Sequence, residues 1–154
     1  MRTVRRMLAI GVVLATVVLG MLLATGTAGA TNAEEGGGHA LFVTRLTGEA
    51  ELPGPGDEDG RGLAILVVDA ESGKIAYRLR VRDIEPATAA HIHEIQTDGF
   101  GPVVAPLTAP TDGSSKGVVV DPALAHDILA NPDDYYVNVH NAPFPNGAVR
   151  GDLG

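Results

Sequence analysis

Leu63-Ala64-Ile65-Leu66-Val67-Val68-Asp69, then Glu71-Ser72-Gly73-Lys74, then Ile75-Ala76-Tyr77-Arg78-Leu79-Arg80-Val81 is the stretch that decides the fold. The first segment is a continuous apolar run of strand length, and the second is a polar turn with glycine. The third alternates: Ile75, Tyr77, Leu79 and Val81 fall on one face, Ala76, Arg78 and Arg80 on the other. A period of two places successive side chains on opposite faces of a strand. The stretch therefore predicts an antiparallel hairpin with one buried and one wet face.

The same signals recur on both sides. His39 to Thr47 reads as a first strand, and the glycine- and proline-rich Gly48 to Gly62 as a long exposed loop. Thr88 to Ile95, Val103 to Leu107 and Gly117 to Val120 follow as further strands. Tyr135 to His140 and Ala148 to Leu153 read as the last two. Asp121-Pro122 has the chemistry of an N-cap followed by proline at the first helical position, so Ala123 to Ala130 is the one predicted helix. Many short strands without βαβ alternation predict an all-β chain. The expected fold is an antiparallel, Greek-key-like sandwich or barrel with one short helix.

The 154-residue chain opens with Arg2, Arg5 and Arg6, followed by an uncharged apolar run from Met7 to Ala24 and the small-x-small pattern Ala28-Gly29-Ala30. This predicts a signal peptide over residues 1–30, with an uncleaved membrane anchor as the other reading. Residues 31–38 are acidic and glycine-rich and read as a flexible linker, leaving 39–154 as one domain. From Thr31 onward eight basic residues face 19 acidic ones, a balance of −11 with histidines neutral. Such a net charge argues against nucleic acid and anionic lipid and for cationic partners, metal ions included; contact with a membrane is expected only through the leader. Cysteine is absent, so no disulfide holds the exported domain and no thiolate is available as ligand or nucleophile.

The candidate chemistry lies in Ala90-His91-Ile92-His93-Glu94 and Tyr136-Val137-Asn138-Val139-His140. On a strand His91 and His93 share a face, as do Tyr136, Asn138 and His140. If the two strands meet, His91, His93 and His140 form a three-imidazole set suited to copper or zinc. Glu94 or Asn138 would then hold a ring N–H and fix its tautomer. The competing reading is structural: neutral imidazole both donates and accepts, so the rings can brace two strands. Arg150, flanked by glycine in the last strand, reads either as part of the site or as a residue that closes the barrel. Ser114, Ser115 and Thr88 stand in no elbow or triad context for hydrolysis. Asp57-Glu58-Asp59 lacks the spacing of a calcium loop. Phe144, between two prolines, is the candidate apolar contact for an extracellular protein partner, and His126 reads as a surface residue.

Five segments together resemble the CHRD domain: Leu46-Thr47-Gly48-Glu49, His91-Ile92-His93, Gly101-Pro102-Val103-Val104, Tyr136 to His140, and Gly147-Ala148-Val149-Arg150-Gly151. The resemblance runs from His39 to Leu153. It departs at Asn141, Ala148 and Asp152, where the family usually has Thr, Glu and Gln. It implies an extracellular module without a defined activity. A shorter likeness joins His91-Ile92-His93-Glu94 to the H-V-H-E strand of copper–zinc superoxide dismutases. It implies copper ligation completed by His140 and anion steering by Arg150. The bridging histidine, the zinc-loop ligands and the disulfide cysteines of those enzymes are missing here.

These readings converge on a secreted, non-catalytic binding module with a mononuclear copper or zinc site at His91, His93 and His140. A copper redox enzyme distantly like superoxide dismutase and a purely structural surface protein are the alternatives.

Overall fold

The computed structural model describes residues 38–154; the expected signal segment and linker residues 31–37 lie outside them. The chain runs β1 (His39–Thr47), β2 (Arg61–Asp69), β3 (Lys74–Arg82), β4 (Ala87–Glu94), β5 (Val103–Leu107) and β6 (Ser114–Val120). Helix α1 (Pro122–Ala130) and a 3-10 turn (Pro132–Asp134) follow, then β7 (Tyr135–Asn141) and β8 (Val149–Asp152). All eight strands belong to one antiparallel sheet in the order β5-β4-β7-β8-β1-β2-β3-β6, curled until it nearly closes into a barrel. The all-β antiparallel expectation is met, as a barrel.

The predicted hairpin is the β2–β3 pair, with Val68 opposite Ile75 and Leu66 opposite Tyr77. Its inward set, Leu66, Val68, Ile75 and Leu79, is fully buried. From the far side Ile92, Val137, Val139 and Val149 fill the same interior. Helix α1 closes one end with Leu124, Ala125 and Ile128, and Asp121 caps it by accepting a hydrogen bond from Leu124 N–H at 3.1 Å.

The seam between the outermost strands is bridged by a side chain. Tyr77 on β3 sends its ring beneath β6 at Gly117, where a Cβ would sit 2.5 Å from the phenol oxygen. The hydroxyl donates to Thr108 Oγ1 at 3.1 Å and accepts from Thr108 N–H at 2.7 Å, just beyond β5. Glycine is needed at 117 because that space belongs to the ring.

Tyr77→Phe removes both bonds, and the exposed Thr108 is left to bond with water instead. The variant should lose about 0.5–1.5 kcal/mol of stability in urea denaturation. An unchanged midpoint would show that the seam holds without the hydroxyl.

Candidate metal centre

Strand alternation sends Ile92, Val137 and Val139 into the barrel and puts His91, His93, Tyr136, Asn138 and His140 on the outer face of the β4–β7 pair. The register sets His91 opposite Asn138, His93 opposite Tyr136, and His140 opposite Ala89. The two histidine strands do meet.

An outer sheet face is normally wet, but this one is covered. The chain around Gly99–Gly101 lies over His93 and Arg150, and Pro145 in the turn after β7 reaches His140. A backbone bond from Asp57 N–H to Ala148 O holds the 48–60 loop against that turn, and one from Gly56 N–H to Gly48 O closes the loop on itself, both at 2.8 Å. The loop expected to be exposed is therefore pinned at Glu51, Gly56 and Gly60, all buried.

Each ring has a defined environment. His93 donates Nδ1–H to Gly101 O at 2.8 Å, which directs its tautomer, while its buried Nε2 makes no hydrogen bond. His140 donates Nδ1–H to Pro145 O at 3.1 Å. Its Nε2 stands 3.0 Å from both His91 Nδ1 and Asn138 Oδ1. A backbone carbonyl on Nδ1 is the arrangement that orients a ring for ligation through Nε2. Nitrogens of the three rings lie within 4.8 Å of one another. Burial holds all three below the usual histidine range, His91 at about 4, with His140 and His93 adding repulsion at His91. The rings are thus neutral at pH 7, the form that carries a free lone pair.

The remaining predicted residues divide. Asn138 Oδ1 stands at His140 Nε2, the nitrogen left without a proton when Nδ1–H donates to Pro145 O, so in this placement it holds no ring N–H. Glu94 is exposed at the end of β4. Arg150, at 3 % exposure, offers no charge to solvent for anion steering. It bonds Asp152 through Nε at 2.8 Å, donates to Gly99 O, and lies 3.7 Å from the Tyr136 ring centroid. Tyr136 in turn stacks on His93, 4.7 Å between centroids and 14° between planes. The bridge from the terminal strand to the histidines is thus a cation–π contact followed by a ring stack. Phe144 is half-buried, its N–H bonded to Asn141 Oδ1 at 2.9 Å, and His126 is exposed.

Sequence reasoning missed Glu51, which is 3 % exposed with Oε1 unpartnered. Its carboxylate occupies the space a Cβ on Gly147 would need, and Gly147 has φ +144. Burial raises Glu51 to about 8 against the opposing pull of Arg150. The surrounding Gly-Glu-Ala-Glu-Leu-Pro-Gly composition carries no burial signal.

A sequence model of the CHRD domain matches residues 42–153, and the chain belongs to that family. No curated protein and no solved structure matches the chain. Among the described residues no helix is long and apolar enough to cross a membrane.

Because Glu51 binds its proton more tightly folded than unfolded, its protonated form contributes stability that is complete below about pH 4.5 and lost as pH rises through about 8. Glu51→Gln should therefore gain on wild type across that interval in a series of thermal melts and level off above it. Parallel pH curves would place the wild-type carboxyl near its ordinary range.

Proposed function

We propose that this protein is an exported, non-catalytic binding module that holds one copper or zinc ion through His91, His93 and His140. The observation that carries the reading is the unpartnered, buried His93 Nε2 beside two further imidazoles. A buried polar atom without a partner is costly, and a metal ion satisfies it. Two carbonyl-anchored Nδ1 atoms support the same reading. Export is supported by the basic, apolar and small-residue order of the first 30 residues and by the extracellular habit of the family.

Metal–nitrogen bonds of about 2.0–2.1 Å keep any two ligands on one ion within about 4.2 Å. The 4.8 Å spread therefore has to contract on binding. His91 is the ring free to do so, being half-exposed and held by His140 alone. With cysteine absent, an all-imidazole set favours Cu²⁺ over Zn²⁺.

The His91–His140 hydrogen bond favours a second reading, in which the rings only brace β4 against β7. Calorimetric titration of metal-free protein separates the two. Under the metal reading wild type binds one Cu²⁺ per chain, and His91→Ala/His93→Ala loses binding while His126→Ala keeps it. Indifference to both metals, with the double variant merely less stable, would establish the brace.

A further inference from the structure

The net charge of the domain hides a segregation that only the fold produces. Seven of the eight basic residues beyond the leader lie on one surface, the outer face of β1, β2, β3 and β6: Arg45, Arg61, Lys74, Arg78, Arg80, Arg82 and Lys116. All seven are exposed. Cross-strand pairing arranges six of them in adjacent rows. Arg61 stands beside Arg82, Arg45 and Arg80 flank Leu63, and Arg78 stands beside Lys116.

Along β3 the guanidinium-bearing residues 78, 80 and 82 repeat every second position, a spacing of about 6.6–6.8 Å. Among the described residues only two ion pairs form, Arg82 with Asp83 and Arg150 with Asp152. Arg45, Arg78, Arg80 and Lys116 thus enter none. Arg61 donates to the carbonyls of Glu58 and Gly60. Where β1 ends and β2 begins, Arg45, Arg61, Arg80 and Arg82 line a groove of about 750 Å³, with Asp112 its one carboxylate. A second hollow, bordered by Arg78, Arg80 and Lys116, continues it.

We propose that this face binds a linear polyanion, a soluble chain bearing carboxylate or phosphate groups at regular intervals. Unpaired guanidiniums at Arg45, Arg78 and Arg80 present paired donors that match both oxyanions, and Arg82, shared with Asp83, extends the line along β3. The concavity favours a strand-like occupant over a bilayer, because a flat surface does not enter a groove. The exposed Leu41, Val67, Val118 and Val120 lie in the rows beyond Arg78 and Lys116, and the exposed Val43 shares the row of those two, so the rows nearest the groove carry the densest charge. With seven cations gathered here, the acidic remainder of the surface repels the same polymer elsewhere and orients it onto this face. This inference does not depend on the histidine site.

The test is binding of fluorescent polygalacturonate to the purified protein in the presence of EDTA, beside sedimentation with phosphatidylglycerol vesicles. Wild type should bind the polymer, with affinity falling on the order of tenfold between roughly 50 and 200 mM salt. Arg45→Gln/Arg80→Gln should weaken binding about tenfold or more and leave the melting temperature unchanged, since both residues are exposed surface cations. Lys74→Gln, outside the groove, should bind nearly as wild type. If the double glutamine variant fails to fold, Arg45→Lys/Arg80→Lys replaces it and must show weakened, salt-sensitive binding. Binding that ignores these arginines or the salt overturns the proposal. So does capture by vesicles with none by polymer, or no binding to either.

Discussion

Strand β7 is the constraint on which the rest depends. It joins the β4–β5 pair on one side to the β8-β1-β2-β3-β6 run on the other, so the sheet is continuous only through it. All seven of its residues are buried, on both faces of the sheet. Its inward side, Tyr135, Val137 and Val139, is held by the hydrophobic core. Its outward side carries polar groups, and their burial is tolerated because nearly every one finds a partner. One pairing register therefore fixes both the core and the histidine cluster. A slip of a single residue would turn the valines outward and the imidazoles into the barrel.

The cover over the outward side turns a strand face into a site. The loops around Gly101 and Pro145 use backbone carbonyls to hold one nitrogen each of His93 and His140. The 48–60 loop buries Glu51 against Gly147, close enough for Arg150 to act on it. Arg150 links this layer to the rings through Tyr136. Removing water raises the cost of any unpaired atom and strengthens whatever eventually pairs with it. His93 Nε2, Glu51 Oε1 and Asn141 Nδ2 are the atoms left in that position around β7.

The two faces of the barrel thus have opposite designs. On β4, β7 and β8 polar residues are buried, neutral rings are gathered, and the one cation is paired. On β1, β2, β3 and β6 cations stand in the open with few partners. A balance of −11 describes neither face. Net charge governs the distant field, whereas a ligand at contact range meets the local arrangement.

Much of this was legible before the fold was known. Period-two alternation in Ile75 to Val81 gave the buried face of β3 residue for residue, and Asp121-Pro122 marked the start of the helix. These features are local: they follow from backbone geometry and from capping. The same alternation put His91 with His93, and Tyr136 with Asn138 and His140. Whether the two sets meet, that loops rich in glycine and proline bury Glu51, and that Arg150 is walled in rather than exposed are matters of long-range pairing. So is the gathering of Arg45, Arg61, Arg80 and Arg82 from three strands. The sequence by itself determined the strands, their faces and the residue types available for chemistry. Only the tertiary structure decided which faces are covered and which charges become neighbours, because strand pairing joins residues that the chain keeps tens of positions apart.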